Sequence, residues 1–181
     1  MNKKVAIIGS GTAGATSAIY LHKLGYDITV FERELEPKPV GAGIMLQPTG
    51  LNTLAELGLA EKALSLGTKI TGMDGSNSHG KKVIDVSFKN EHNLFGLGIH
   101  RGALYFILLH ELNRLNIPVK LGCEIIDIDN SKEQPLLHDA KGIQHEGFDW
   151  VIVANGSRSI LRNKLDLVKK ATDYEFGAIW T

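Results

Sequence analysis

The fold of this chain is decided by a stretch near its start, Val5-Ala6-Ile7-Ile8-Gly9-Ser10-Gly11-Thr12-Ala13-Gly14. Its first four residues are all apolar, which is typical of a strand buried on both faces of a parallel sheet. Three glycines then follow with the spacing G-x-G-x-x-G. The stretch therefore predicts a buried strand that runs into a tight, glycine-rich turn.

Each glycine of this turn has its own physical reason. Gly9 permits the tight turn, Gly11 lets the backbone approach a diphosphate, and Gly14 lets the following helix pack closely against the strand. The unpaired N–H groups at the start of that helix, near Thr12 and Ala13, would face the diphosphate. The turn is thus predicted to bind the phosphates of a dinucleotide.

The residues after the turn complete a β-α-β unit. Residues 15–24 are predicted to form a helix closed by Gly25, and residues 27–31 a second strand. Glu32 follows, eighteen residues beyond Gly14, where a carboxylate can accept hydrogen bonds from a ribose diol. A G-x-G-x-x-G turn alone is a weak signal, but strand, helix, strand and acid in this order favour dinucleotide binding over a plain turn. The pattern does not say which dinucleotide binds.

The composition is that of an ordinary globular protein. Of the 181 residues, 43% are apolar and 22% charged, and 20 Lys and Arg balance 20 Asp and Glu. This balance gives no net field that would attract nucleic acid or an anionic membrane. The longest apolar run, residues 103–109, is too short to cross a bilayer, and the apolar run before Gly9 is too short for a signal peptide. We therefore expect a cytoplasmic protein without a nucleic-acid or membrane partner.

Cys123 is the single cysteine, so we expect no disulfide framework and no thiol metal site. It lies in a strand-like run, and we expect a packed thiol rather than a reactive one. His79 and His92 lie in polar, loop-like surroundings without a His or Cys neighbour at the spacing of metal ligands. We expect both to be solvated, and no metal site is predicted.

A second glycine-rich segment lies at residues 41–50, after an extended loop at residues 33–40. Its three glycines and one proline predict a backbone that either lies flat against a neighbouring group or turns sharply. An irregular surface loop is the alternative, but the apolar residues 44–46 need burial. Two short helices are predicted after it, at residues 51–59 and 60–66.

The pattern changes after these helices. Residues 70–74 and 82–88 alternate apolar and polar side chains, as half-exposed antiparallel strands do. The polar residues 75–80 supply a turn between them. This part of the chain is predicted to leave the nucleotide-binding domain and to form part of a second layer.

Arg101 precedes a strongly apolar helix predicted at residues 103–115. A cation is unfavourable at a helix N-terminus, because the helix dipole favours anions there. Arg101 is therefore a candidate for binding an anionic part of a cofactor, and the alternative is a solvated side chain. His100 is the nearest candidate for a catalytic base, but we expect a structural role, since a base needs a substrate within hydrogen-bond reach. No catalytic residue is assigned.

Three further segments are predicted to form strands joined in a β-meander. The first is a single strand over residues 119–129, and the next two cover residues 136–140 and 143–146. The end of the chain, residues 171–181, reads as the beginning of another strand.

A second strand–glycine–helix junction follows the meander. Residues 150–154 are apolar and are predicted to rejoin the parallel sheet. Asn155 and Gly156 come next, before a helix predicted at residues 159–165. Ligands meet an open parallel sheet at such junctions.

Together these motifs resemble the N-terminal half of the single-component FAD-dependent monooxygenases of the para-hydroxybenzoate and salicylate hydroxylase type. The resemblance covers nearly all of residues 3–181. It rests on these motifs: Gly9-x-Gly11-x-x-Gly14, Glu32-Arg33, Gly41-Ala42-Gly43-Ile44 with Gln47-Pro48, Leu54-x-x-Leu57-Gly58-Leu59, His100-Arg101 before Leu104, and Asp149-x-Val151-Ile152-Val153-Ala154-Asn155-Gly156-x-x-Ser159-x-x-Arg162.

The resemblance implies a Rossmann-like α/β fold. An FAD-binding domain with a parallel sheet and a β-meander would comprise residues 1–68 and 97–168. Residues 69–96 and 169–181 would be strands of a partial antiparallel sheet of the substrate domain. The family normally continues for about as many residues again, so the C-terminal half of its fold is missing here, and we expect a fragment or a truncated gene.

The implied cofactor is FAD. Glu32 would bind the adenosine ribose, Arg33 would lie near the adenosine, and the backbone at Ile125 would meet the adenine. Arg101 would face the diphosphate or the ribityl chain. The cofactor-binding residues predicted in this way are Gly9, Gly11, Thr12, Ala13, Gly14, Glu32, Arg33, Gly43, Ile44, Arg101, Ile125, Asn155 and Gly156.

The implied reaction is a monooxygenation. NAD(P)H acts as a transient reductant, and one oxygen atom of O₂ goes to a small, usually aromatic, substrate. Asn155 stands where the family usually has Asp, which keeps hydrogen-bonding capacity but removes a charge and bears on NAD(P)H docking. Two alternatives stay open at this point: another FAD- or NAD-dependent oxidoreductase that does not use O₂, and a truncated, non-catalytic nucleotide-binding remnant.

Overall fold

The computed structural model describes residues 2–38, 41–88, 94–165, 172 and 175. The described strands are β1 (Lys4–Ile8), β2 (Asp27–Phe31), β3 (Gly43–Leu46), β4 (Gly67–Ile70), β5 (Gly72–Ser76), β6 (Lys82–Ser87), β7 (Gly96–His100), β8 (Val119–Lys120), β9 (Ile125–Asp129), β10 (Leu136–Asp139), β11 (Gln144–His145) and β12 (Trp150–Val153). The described helices are α1 (Thr12–Lys23), α2 (Pro48–Leu57), α3 (Ala60–Ser65), α4 (Arg101–Arg114) and α5 (Leu161–Lys164).

The chain divides into two compact units. The first is formed by Met1–Lys38 with Leu108–Thr181, and the second by Pro39–Ile107. The predicted division into an FAD-binding domain and strands of a substrate domain concerns function, which these two units do not test. It stays a prediction.

A parallel sheet with the strand order β12-β1-β2-β8 forms the centre of the first unit. The side chains of Val5, Ala6 and Ile7 in β1 are fully buried, as expected for an apolar run in a strand between two neighbours. The predictions of β1, of β2 and of the return of the chain to this sheet in β12 are confirmed.

Helix α1 connects β1 to β2. It begins at Thr12, three residues earlier than predicted, because Gly11 in extended conformation is its N-cap and Gly14 is already in the helix. Gly25 follows the last turn with φ +88°, so the predicted glycine stop is confirmed.

The β-meander is confirmed, but its first strand is not continuous. Residues 119–129 form β8 in the parallel sheet and β9 in the antiparallel sheet β11-β10-β9, so the prediction of one strand was wrong. The chain turns between them at Gly122, which has φ +61°. The N–H of Cys123 donates to the carbonyl of Glu32 (2.8 Å), which ties this turn to the end of β2.

An apolar core joins the meander to the parallel sheet. The meander contributes two buried side chains, Ile125 and Leu137, and the short helix α5 contributes Leu161. The predicted helix at residues 159–165 is only this one turn. The buried members of the core are Ala6, Ile8, Phe31, Ile125, Leu137, Phe148 and Leu161.

The second unit has an antiparallel sheet with the order β3-β7-β4. Strand β3 lies within the glycine-rich segment 41–50, so that segment is not the irregular surface loop that was the alternative. Helix α2 begins earlier than predicted, at Pro48, and ends at Leu57. Gly58, the predicted stop, caps it with φ +77°.

Strands β5 and β6 pair with each other as an antiparallel hairpin, as predicted. The residues before them belong to a different sheet, since β4 pairs with β7. The prediction that these strands are half-exposed was wrong for β6, because all six of its residues are exposed. One face of a two-stranded hairpin is buried only where another layer of the protein covers it. Among the described residues, no such layer covers β6.

Helix α4 begins at Arg101, two residues before the predicted start. His92 and most of residues 171–181 lie outside the described residues. Among the helices that the structure describes, none has the length and apolar character needed to cross a membrane.

Candidate FAD site

A cavity of about 260 Å³ lies in the first unit, at the carboxyl ends of β1, β2 and β12. This edge of a parallel sheet is where open α/β folds bind ligands. The predicted cofactor-binding residues that line the cavity are Gly9, Gly11, Glu32, Arg33, Ile125, Asn155 and Gly156. The structure thus brings together four separate segments of the chain that were predicted to bind the cofactor.

The glycine-rich turn forms one wall of the cavity. Gly9 has φ +100°, and a Cβ atom there would lie 2.6 Å from the carbonyl oxygen of Ala154. A Cβ atom at Gly14 would collide with the carbonyl oxygen of Gly9. At Gly11, by contrast, a Cβ atom would meet nothing within 4 Å. Gly9 and Gly14 are therefore required by the fold itself, whereas Gly11 leaves open space in the cavity wall.

The N-terminus of α1 lies beside this open space. Its N-cap, Gly11, offers no side chain to the first N–H groups, and the first turn contains no acidic residue. Thr12 and Ala13 are both exposed there. The positive end of the helix dipole is thus left without compensation by a side chain of the first turn, which suits an anionic group such as a diphosphate.

Glu32 closes the cavity at the end of β2, and it is almost fully buried. Its Oε2 accepts hydrogen bonds from the Ser10 backbone N–H (2.8 Å) and from the Ser10 hydroxyl (2.6 Å). Its Oε1 accepts one from the N–H of Glu34 (3.0 Å). Since each carboxylate oxygen has two lone pairs, Oε1 keeps capacity for a further donor such as a ribose hydroxyl.

Asn155 and Gly156 line the cavity next to the glycine-rich turn. The Asn155 Oδ1 atom is buried and has no hydrogen-bond partner among the described residues. A buried acceptor without a donor is costly, and such groups in native proteins usually await a ligand or water. Gly156 has φ +86°, which lets the chain turn out of β12 at this point. The unpaired oxygen and the open space at Gly11 both fit a polar ligand such as FAD.

Several cavity residues were not found from the sequence. Arg158 is exposed on the cavity wall and adds a positive charge to that of Arg33, which itself bonds to Glu34 (3.1 Å). Its position two residues after Gly156, in the second strand–glycine–helix junction, was the signal that could have revealed it. The role of Ser10 had no local signal, because its partner Glu32 lies 22 residues away in the sequence.

The second unit holds the other predicted residues, Gly43, Ile44 and Arg101. In the pairing of β3 with β7, Gly43 lies opposite His100. The N–H of Arg101 donates to the carbonyl of Ala42 (3.1 Å). Arg101 is the exposed first residue of α4, and the first turn of this helix contains no acidic residue that would offset its charge.

The side chain of Arg101 also passes close to the backbone at Gly41. A Cβ atom there would lie 3.0 Å from Cδ of Arg101, and Gly41 has φ +123°. The imidazole of His100 accepts the Gly102 N–H at Nδ1 (3.1 Å), which satisfies one of the free N–H groups of α4. This contact supports the predicted structural role of His100.

Cys123 is partly buried and also lines the cavity of the first unit. Burial, together with its hydrogen bond to Asp139, raises the pKa of the thiol. A thiol with a raised pKa is a weak nucleophile at neutral pH. The environment of Cys123 therefore agrees with the predicted unreactive thiol.

The fold and the cavity define a class of protein, the dinucleotide-binding α/β domains. Over residues 2–180 the sequence matches the family described as "FAD binding domain", and the chain belongs to this family. The prediction of FAD as the dinucleotide is thereby confirmed.

The relatives of this chain include FAD-dependent monooxygenases. The 3-amino-4-hydroxybenzoate 2-monooxygenase of Streptomyces cremeus is 29% identical over 181 residues, which cover 97% of this chain and 45% of that protein. The FAD-dependent monooxygenase ntnJ of a Nectria species is 29% identical over 165 residues, which cover 90% and 38%.

A solved structure shows the same fold. The crystal structure of a mutant of 2-methyl-3-hydroxypyridine-5-carboxylic acid oxygenase superimposes with a TM-score of 0.78 and 25% identity, covering 91% of this chain and 42% of that one. The predicted fold class is confirmed by this similarity. The chain spans less than half the length of these relatives.

Proposed function

We propose that this chain is the FAD-binding part of a flavin-dependent monooxygenase that uses NAD(P)H and O₂ to hydroxylate a small aromatic substrate. The observation that carries this proposal is the cavity of the first unit, whose glycine-rich turn, buried acid and unpaired acceptor suit an adenine dinucleotide. The names of two relatives, a hydroxybenzoate monooxygenase and a hydroxypyridine carboxylic acid oxygenase, support the aromatic substrate.

The residues of the first unit would hold the adenosine diphosphate half of the cofactor. The open space at Gly11 and the N–H groups of Thr12 and Ala13 would receive the diphosphate. Glu32 would accept a hydrogen bond from the ribose through the free capacity of Oε1. Asn155 would gain a donor for its unpaired Oδ1.

The remaining assignments follow from the same site. Ile125 and Arg33 both line the cavity. The backbone of Ile125 would lie near the adenine, and the side chain of Arg33 near the adenosine. Gly14 would act only through the packing of α1, and Gly156 through the turn after β12.

The flavin half of the cofactor would be bound by Gly43, Ile44 and Arg101. Arg101 lies at a helix N-terminus where no anionic side chain of the first turn offsets its charge. A cofactor phosphate or ribityl oxygen would offset it. Gly43 and Ile44, in β3, would line the flavin with backbone atoms.

When bound, FAD supplies the redox chemistry, and the chain's own residues bind and orient it. Asn155 keeps hydrogen-bonding capacity but lacks the charge of the acid that the family usually has, so we expect this difference to weaken NAD(P)H docking and to leave FAD binding intact. The cytoplasmic location and the use of a small-molecule substrate stay predictions.

The first experiment is to add FAD to the purified chain, remove the excess and measure the flavin absorbance per chain. The proposal expects retained FAD at close to one per chain. A chain that folds but retains no FAD would support the non-catalytic remnant instead.

The second experiment uses the FAD-loaded protein with NADH or NADPH and a panel of hydroxybenzoates and hydroxypyridines. The chain spans less than half the length of its relatives, so we expect it to be incomplete for hydroxylation of the panel. The proposal expects NAD(P)H oxidation that depends on O₂ and yields hydrogen peroxide. NAD(P)H oxidation that proceeds equally without O₂ and transfers electrons to another acceptor would favour an oxidoreductase that does not use oxygen.

A further inference from the structure

Three side chains with different metal-binding atoms converge next to the β-meander of the first unit. Cys123 precedes β9, Asp139 ends β10 and His145 ends β11. Their ligand atoms Sγ, Oδ2 and Nε2 all lie within 4.8 Å of one another. Residue spacing did not indicate this cluster, since its members are 16 and 6 residues apart and no metal-binding motif has that spacing.

We propose that Cys123, Asp139 and His145 form a binding site for a divalent transition-metal ion, with Zn²⁺ as the ion that the ligand set suits best. Thiolate, imidazole and carboxylate are the three ligand types that Zn²⁺ takes in proteins. The two anionic ligands would neutralise the charge of the ion.

The distances between the ligand atoms agree with a tetrahedral centre. Bond lengths of about 2.3 Å to sulfur and 2.0–2.2 Å to nitrogen and oxygen place tetrahedral ligand atoms roughly 3.3–3.6 Å apart. In this structure Sγ lies 3.5 Å from Oδ2 of Asp139 and 3.5 Å from Nε2 of His145, and Nε2 lies 3.0 Å from Oδ2. Only the last pair needs to separate by a few tenths of an ångström.

The carboxylate is held in the orientation that binding requires. Its Oδ1 accepts the N–H groups of Lys141 (2.9 Å) and Ile143 (2.8 Å), which leaves Oδ2 directed at the other two ligands. The side chain of Asp139 is only 3% exposed and that of His145 11% exposed. Fixing a ligand through contacts of this kind is how proteins orient their metal ligands.

The imidazole is also positioned by its surroundings. The ring of Phe31 packs edge-on against the His145 ring, with the centroids 5.0 Å apart. The other ring nitrogen, Nδ1, lies 3.4 Å from the ammonium of the exposed Lys120. Zinc at Nε2 requires the proton on Nδ1, so Lys120 must turn into solvent when the ion binds.

The proton balance of binding is simple. Zn²⁺ displaces the thiol proton of Cys123 into solvent, and the proton of the neutral imidazole resides on Nδ1. No bond of the chain is broken and nothing is oxidised or reduced. Three protein ligands leave the fourth position of a tetrahedral ion to water.

The test uses the whole chain, purified under reducing conditions and freed of metal, and Co²⁺ as a spectroscopic probe. We expect saturation at one Co²⁺ per chain, with a thiolate-to-cobalt charge-transfer band in the near ultraviolet that Zn²⁺ abolishes by displacement. Failure of the wild-type chain to develop this band would overturn the proposal without recourse to any variant.

Variants then identify the ligands. Cys123→Ser and His145→Gln should each weaken Zn²⁺ binding by more than about 10-fold, since even the loss of a group that only orients a ligand has an effect of this size. His138→Gln is the matched control, because His138 lies beside Asp139 on β10 and is not among the converging residues. Equal Zn²⁺ affinity in Cys123→Ser, His145→Gln and the wild type would contradict the site.

A fourth variant tests the role of Lys120. Lys120→Met removes the ammonium that lies against Nδ1, so it should tighten Zn²⁺ binding. Circular dichroism of each metal-free variant establishes that it is folded. Should Cys123→Ser be unfolded, the wild-type cobalt spectrum and the Lys120→Met affinity decide the question, and weaker binding by Lys120→Met would count against the proposed geometry.

Discussion

The carboxylate of Glu32 accepts hydrogen bonds from both the backbone N–H and the hydroxyl of Ser10, at 2.8 and 2.6 Å. Ser10 lies between the first two glycines of the turn, and Glu32 lies at the end of the neighbouring strand. The acid expected to bind a ribose therefore also fixes the position of the glycine-rich turn. The proposed contact with the ribose and the local stability of the turn therefore both depend on the Glu32 side chain.

Replacing Glu32 by Gln should destabilise the free protein. The amide has one acceptor oxygen where the carboxylate has two, so the N–H of Glu34 or of Ser10 loses its partner. Hydrogen bonds to a charged group contribute about 1.5–3 kcal/mol, and the free energy of unfolding in urea should fall by about this amount. Glu34→Gln is the control, since its side chain is exposed and its ion pair with Arg33 contributes little. Equal stabilities of the two variants would contradict the buried role of Glu32.

Gly14→Ala should destabilise the chain strongly, because the added methyl group collides with the carbonyl oxygen of Gly9. Overpacking of this kind costs about 1–3 kcal/mol, and more where the obstacle is backbone. Gly11→Ala adds the same methyl group to open space and should remain closer to the wild type. Urea unfolding measures the free energy of unfolding of both variants. A Gly11→Ala chain less stable than the Gly14→Ala chain would mean that the turn is packed differently.

Asn155→Ala should leave the stability of the FAD-free chain unchanged or slightly raise it, since it removes a buried oxygen that has no partner among the described residues. The same change should weaken FAD binding, because the cofactor loses an acceptor. One neutral hydrogen bond contributes about 0.5–1.5 kcal/mol, or about 2- to 12-fold in affinity. Isothermal titration with FAD and a urea melt test the two halves of this prediction. Lower stability with unchanged affinity would assign Asn155 a purely structural role.

Arg101→Ala should weaken FAD retention by about 10-fold or more if its cation meets a cofactor anion, as expected for a charge-assisted hydrogen bond. The loss should shrink as the salt concentration rises. Lys62→Ala removes an exposed cation from α3 in the same unit and serves as the control. Unchanged FAD affinity in Arg101→Ala would return Arg101 to the alternative of a solvated surface residue.

The β-α-β unit at the start of the chain was predictable because all its determinants are local. The apolar run of β1, the glycine spacing and the stop at Gly25 each lie within a few residues of the structure they produce. The same is true of α2 with its stop at Gly58 and of the apolar strand β12.

The features that were missed depend on contacts between distant residues. The break between β8 and β9 falls at Gly122, and its position is fixed by the hydrogen bond from the Cys123 N–H to the carbonyl of Glu32, a contact that the run of strand-like residues does not reveal. The Ser10–Glu32 contact and the convergence of Cys123 with Asp139 and His145 likewise join separate strands. No local pattern encodes such contacts.

The central claim is that the cavity at the glycine-rich turn binds FAD, and Gly11 tests it most directly. A Cβ atom at Gly11 meets nothing within 4 Å, so Gly11→Val should fold while its side chain fills the space expected to receive the diphosphate. We predict that titration of FAD into the two chains shows at least 10-fold weaker binding by the variant, a difference of about 1.4 kcal/mol. Equal FAD affinity in a folded Gly11→Val chain would contradict the account.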